Sequence, residues 1–221
     1  MLSIDQTDSD LWHNEYILAQ RYPGFAIIGI DEAGRGSLAG PVAASGVCYL
    51  GCCSKPAVKD SKKLTPKQRE IAYDQIRKSG ALIATSFISP RMIDKMNILN
   101  ATKLAMKKCI DQLLFREELR QRSILLLIDG NQALSGEYRA IQQTCIKGDS
   151  TYSSIASASI IAKVERDHYM IQMDSVFPRY GFSLHKGYGT KKHYHALQKE
   201  GCSTFHRKTF LKVNNEGNRK T

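Results

Sequence analysis

The chain has 221 residues, 42% of them hydrophobic and 24% charged, and 32 basic against 21 acidic residues give a formal net charge of +11. That size suits one substantial domain, or a domain with a small appendage, and the composition is that of an ordinary globular protein. No apolar run approaches a membrane span, and the N-terminal stretch MLSIDQTDSDLWHNEY has neither the basic start nor the apolar centre of a secretory signal, so a cytoplasmic protein is expected.

In chain order, a helix is expected over Leu11–Arg21, ended by Pro23-Gly24. Strand one is Phe25–Asp31, and strand two is about Val42–Leu50. A loop over Gly51–Lys63 follows. Thr65 then caps a helix that starts with Pro66, carries Glu70 in its first turns and stops at Ser79-Gly80. Strand three is Ala81–Ile88, broken by Pro90. A long helix is expected over Ile93–Gln121, because Ala101, Ala105, Cys109 and Leu113 step by four, with Met106, Ile110 and Leu114 beside them.

Strand four is Ser123–Asp129, a near-continuous apolar run, so helices should cover both faces of its sheet. A fifth strand is Ala140–Ile146. A helix over Tyr152–Asp174, rich in Ala and Ser, should press close against the sheet. One more helix is expected at Lys191–Glu200. No repeats or linkers interrupt the chain. The pattern predicts an α/β fold with a mixed five-stranded sheet flanked by helices. Residues 1–221 read as a single domain, with a core at about 25–176 and a helical and loop lobe at about 177–221.

The basic excess favours a polyanion. It clusters in Lys55–Lys67, with five lysines, and in Lys186–Lys212, with six lysines and an arginine, which suggests a nucleic-acid track. Six cysteines are present, but no second pair with ligand spacing follows Cys52-Cys53, so they read as free thiols and not as a zinc site. His193 and His195 are two apart, and a helix would turn them to different faces. His206, Arg207 and Lys208 read as backbone-contacting charge at best.

The chemistry converges on Ile27–Pro41, IIGIDEAGRGSLAGP. A buried strand delivers Asp31 and Glu32 into a glycine-rich turn. Glycine lets another molecule approach the backbone, and the guanidinium of Arg35 suits phosphate. Asp129 ends strand four before Gly130-Asn131, and Asp149 precedes a helix. If strands one and four run parallel as neighbours, Asp31 and Asp129 lie side by side at the sheet's C-terminal edge, where open α/β sheets bind ligands. Carboxylates so close raise each other's pKa unless a cation neutralises them. Oxygen donors without His or Cys point to Mg²⁺ or Mn²⁺, and a pair of such ions can hydrolyse a phosphodiester without a nucleophilic side chain.

The motifs DEAGRG, DSKKL, LIDG, KGD with SIIAKVERD, and HKGYGT stand in the order found in type 2 ribonucleases H, and the chain resembles ribonuclease HII from about Ile27 to Phe210. The resemblance implies a ribonuclease H-like fold whose first three strands are antiparallel. It implies a catalytic and metal site of Asp31, Glu32, Asp129 and Asp149, with Asp31 bridging two ions. It gives the Gly34-Arg35-Gly36 turn the reading of the 2′-OH, the group that separates RNA from DNA. It sets Tyr188 against the sugar of the next nucleotide, and Lys62 and Lys186 are candidate phosphate contacts. The implied activity is endonucleolytic hydrolysis of RNA in RNA–DNA hybrids and 5′ of single ribonucleotides in duplex DNA, in ribonucleotide excision repair and primer removal, with no obligate protein partner evident. Ser37 and Gly189 depart from the family, which commonly has proline at both. Ribonuclease HIII is disfavoured by the GRG turn, the aspartate at 149 and the short segment before strand one. A basic binding module without nuclease activity is the rival of another class.

Overall fold

The computed structural model describes residues 6–211, except 52, 59 and 137. Its sheet has the order β3-β2-β1-β4-β5, formed by β1 (Ala26–Ala33), β2 (Val42–Cys48), β3 (Leu82–Ile88), β4 (Ile124–Asp129) and β5 (Ala140–Cys145). β1 pairs antiparallel with β2, and β2 with β3; β1 pairs parallel with β4, and β4 with β5. The mixed five-stranded sheet and its antiparallel first three strands are therefore as expected.

Alternation along the strands sorts the core into two layers. Ile28, Ile30, Leu126 and Ile128 face α4 (Ile98–Leu114), whose Ala101, Ala105, Cys109 and Leu113 are fully buried. Ile27, Leu125 and Leu127 face the other way and pack with Ile155 of α6 (Ser153–Val176). Further along, Val47 of β2 packs with Ala156, Ile160 and Val164 of α6 and with Ala72 and Ile76 of α2 (Pro66–Lys78). The small residues of α6 do bring it close to the sheet: a Cβ on Gly29 would lie 2.2 Å from the backbone carbon of Ser154. The N-terminal helix α1 covers Gln6–Arg21, and its Glu15 carboxylate accepts from the Ser153 hydroxyl and the Ser154 N–H, each at 2.7 Å.

Five expectations are corrected. The long helix over Ile93–Gln121 is three pieces: α3 (Pro90–Met96), α4, and α5 (Glu117–Arg120). Asn97 makes the first break, with φ of 68° and its side chain capping the Asn100 N–H at 3.0 Å. Asparagine tolerates both roles, and one polar residue in the step-of-four row does not by itself mark a helix end. Pro90 does not merely end β3; it opens α3 behind the Ser89 cap. A short helix, α7 (Phe182–His185), was not expected, and neither was the 3-10 turn Ser61–Lys63 inside the loop. Finally, β1 runs through Asp31 and Glu32 instead of ending at the acids.

The C-terminal segment meets the core at the end of the glycine-rich turn. Leu38 donates its N–H to Gly187 at 2.8 Å and accepts from the Arg207 N–H at 2.8 Å, while Ala39 bridges to His206. Ala39, Met170, Phe182 and Phe205 form the apolar cluster beneath, and α8 (Lys191–Glu200) follows α7. Cys48, Cys53, Cys109 and Cys145 are free thiols, and among the described residues no helix is long and apolar enough to cross a membrane.

Candidate active site

The sheet brings the first acids together. Ile30 is in register with Ile128, so the next residues of these parallel strands, Asp31 and Asp129, fall beside one another. β4 then turns away at Gly130, whose φ is 101°. Past Ile30 the β1 strand therefore keeps only its β2 partner, and the gap on the other side becomes a hollow. Asp31, Glu32, Gly34, Lys62, Asp129, Ser159, Lys163 and Tyr188 all line it.

Asp31 is 4% exposed. Burial pushes its pKa well up, and the charges of Glu32 and Asp129 push it further, against bonds from Ser159 and the Glu32 N–H at 2.7 Å. Burial also raises Glu32, countered by Arg35 at 3.1 Å. Asp129 is raised by burial and by Asp149, and is eased by the Gly148 N–H at 2.7 Å. Asp149 itself is 2% exposed and meets Lys62 Nζ at 2.9 Å.

Asp31, Glu32 and Asp129 thus share the hollow, whereas Asp149 is not among the residues that line it and is paired with Lys62, and the acids do not form a closed cage. Among the described residues, no three His, Cys, Asp or Glu side chains are gathered closely enough to hold a metal ion. Arg35, Lys62 and the Gly148 amide each engage one of these carboxylates. The donor set still suits a hard divalent cation, since it is all carboxylate oxygen around a buried, like-charged centre.

The glycine-rich turn forms the next wall. A Cβ on Gly34 would fall 2.0 Å from Arg166 Nε, and the φ of +89° there favours glycine as well. Arg166 is wholly buried and donates to the carbonyls of Pro41, Ala39 and Lys186 at 2.9, 3.2 and 3.0 Å. Its guanidinium and the Lys163 ammonium each lie 5.3 Å from the centre of the Tyr188 ring. Lys186 does not line the hollow: its ammonium turns back onto the Ser183 carbonyl.

Ser159, Lys163, Arg166 and Met170 recur at helical spacing, so one stripe of α6 faces the site. Periodicity alone did not single them out, because SIIAKVERD reads simply as a buried helix. Arg207 was also misjudged. It is wholly buried and fixes the turn through the carbonyls of Gly34, Arg35 and Gly40 at 2.7, 2.8 and 3.0 Å.

Behind Tyr188 lies a set of buried histidines. A carbonyl can only accept, so His193 donates through Nδ1 to the Tyr188 oxygen at 3.0 Å. Its Nε2 then accepts from His206 Nε2 at 3.0 Å, and His206 Nδ1 accepts from the Ser203 N–H at 3.0 Å. His195 is exposed on another face of α8, away from His193. Ser37 is buried with a hydroxyl that finds no partner among the described residues, which fits a position where the family commonly has proline.

The family model for ribonuclease HII matches residues 28–213. The chain belongs to the ribonuclease HII family. Ribonuclease HII of Rickettsia bellii (strain OSU 85-389) is 45% identical over 204 residues, covering 92% of this chain and 97% of that one. Ribonuclease HII of Desulfitobacterium hafniense (strain DSM 10664 / DCB-2) is 43% identical over 206 residues, covering 93% of this chain and 73% of that one. Among solved structures, RNase HII of Archaeoglobus fulgidus, in complex with PCNA, is similar with a TM-score of 0.65 and 27% identity, covering 88% of this chain and 98% of that one. As a member of this family the chain is an endoribonuclease, a hydrolase that acts on RNA-containing nucleic acid.

Proposed function

We propose that the enzyme hydrolyses the RNA strand of RNA–DNA hybrids and incises 5′ of single ribonucleotides in duplex DNA, leaving 3′-hydroxyl and 5′-phosphate ends. The observation that carries this reading is Asp31, a buried acid within β1 that lies beside Asp129 of the parallel neighbour and shares one hollow with it and Glu32, so that both raise its pKa. A stable fold gains nothing from that repulsion; a cation that arrives with the substrate would relieve it.

Asp31, Glu32, Asp129 and Asp149 are the proposed ligands for Mg²⁺ or Mn²⁺, with room in the chemistry for two ions. Bound there, the metal supplies activation of a water and neutralisation of charge at the phosphate. The water oxygen bonds to phosphorus, the bond from phosphorus to the preceding 3′-oxygen breaks, and that oxygen leaves as a hydroxyl. The chain's own part is to hold and orient. Gly34, Arg35 and Gly36 bring backbone to the ribose, and Tyr188, stiffened by Lys163 and Arg166, offers a ring to the next sugar. Lys62 is poised to exchange its carboxylate for a phosphate, and Lys186 would have to leave Ser183 to do the same. The segment from about 177, described as far as 211, contributes the Tyr188 loop as a lobe on the core at about 25–176; the rest of the expected lobe, 212–221, lies outside the described residues. An enzyme of this kind serves ribonucleotide excision repair and primer removal, in the cytoplasm of a cell whose DNA lies there.

The test is a labelled duplex carrying one ribonucleotide, incubated with Mg²⁺, Mn²⁺ or EDTA, with the ends mapped. Cleavage 5′ of the ribonucleotide that EDTA abolishes is expected. Binding without incision under every condition would leave a nucleic-acid-binding module instead.

A further inference from the structure

We infer that Arg207 is a positioning residue for ribose recognition: its buried guanidinium sets the direction of two successive amides, those of Arg35 and Gly36, toward the substrate. This rests on the reading of the turn given above and adds the group that orients it.

Arg207 Nη2 holds the Gly34 carbonyl at 2.7 Å and Nη1 holds the Arg35 carbonyl at 2.8 Å. No cis peptide bond is present among the described residues. In a trans peptide the N–H points opposite to the C=O of the same plane. With both carbonyls drawn to one guanidinium, the Arg35 and Gly36 N–H groups must point away from it. Among the described residues, neither N–H finds a protein acceptor. Gly34 lines the acidic hollow. Arg35 lines the adjoining hollow, which shares Glu32 and Asp129 with the first. The turn thus offers two donors beside the acids, suited to a hydroxyl or phosphate oxygen of the scissile strand.

The guanidinium is wholly buried, and among the described residues no carboxylate is paired with it. Such a charge is costly to hold unless its donors are satisfied, and carbonyls satisfy them here. Nε takes the Gly40 carbonyl at 3.0 Å, and the Phe210 ring lies 5.1 Å from the guanidinium carbon. A single planar fork makes both grips at once. Lysine, with one flexible ammonium, cannot fix two peptide planes together.

The experiment compares Arg207→Lys with its parent, both carrying Asp31→Asn so that duplexes are bound and not cut. Affinity is measured in Mg²⁺ for a duplex with one ribonucleotide and for the same duplex in all-DNA form. The preference for the ribonucleotide duplex should fall about tenfold, while all-DNA binding changes less than about twofold, since only donors to the ribose region are misaligned. An unchanged preference, or equal weakening on both duplexes, overturns the inference. If Arg207→Lys does not fold by circular dichroism, Phe210→Ala loosens the same guanidinium from a half-buried position, and a preference that it leaves intact overturns the inference equally. A parent with no preference at all would refute the ribose reading itself, a separate outcome from variants that keep a preference their parent shows.

Discussion

Lys62 and Asp149 meet at 2.9 Å, an exposed ammonium on a carboxylate that is only 3% exposed. The side chain of Lys62 therefore occupies an oxygen that a divalent ion would claim. In Lys62→Ala, Mn²⁺ should bind the nucleic-acid-free protein more tightly, by about fivefold, the worth of an exposed ion pair. Calorimetric titration of both proteins checks this. Weaker Mn²⁺ binding in the variant would mean that Lys62 supports the site and does not compete for it.

Asp31→Asn and Asp129→Asn should each abolish cleavage and leave the circular dichroism spectrum unchanged. Without metal, Asp31→Asn should also raise the melting temperature by a few degrees, on the order of 1 kcal/mol, because it removes a buried charge that its neighbours repel. Near-normal turnover in either variant would show that the metal assignment is wrong.

Gly34→Ala should lower stability by about 2 kcal/mol, combining a left-handed backbone with displacement of Arg166. Cleavage should fall with it, since Arg166 also holds the Tyr188 loop. Urea unfolding and single-ribonucleotide cleavage, measured side by side, decide the matter. Gly36→Ala is the control, because a Cβ there meets nothing within 4 Å; its fold should be near normal.

Burial lowers His193 and His206 from 6.5 to about 4. The unfolded chain takes up protons near 6.5, and the folded chain refuses them until about 4. Their contribution to stability is thus complete above pH 6.5, falls as the pH drops, and levels off below 4. The acids Asp31, Glu32 and Asp129 have raised pKa values and work in the opposite sense, so the measurement belongs in the Asp31→Asn background, where that opposition is reduced. Urea unfolding from pH 7.5 to 4.5 should show a steeper loss in that protein than in one also carrying His206→Gln. Equal slopes would show that the histidines are not neutral in the fold.

The strands were legible because a chain that alternates, or runs apolar for six residues between turns, has few other ways to bury itself. Ile27–Ile30 and Ile124–Ile128 required no tertiary knowledge. Helix limits were harder. A step of four back from Ala101 reaches Asn97, and a second reaches the buried Ile93, so the spacing does not mark a boundary and only the positive φ of Asn97 shows the break. Asp31 and Asp129 stand out in the sequence because each carries an acid out of an apolar strand. Arg207 and Ser159 do not, since their roles consist of contacts with residues 173 and 128 positions away.

What the sequence determined by itself was local and periodic: a mixed sheet with covered faces, two acids after a buried strand, a capped helix at Thr65, and motifs in a recognisable order. Only the tertiary structure decided that those acids pair with Lys62, Arg35 and the Gly148 amide, and which buried cations brace the turn. Hydrophobic periodicity is written into neighbouring residues, whereas a hydrogen bond to a distant carbonyl leaves no trace in the spacing of either partner.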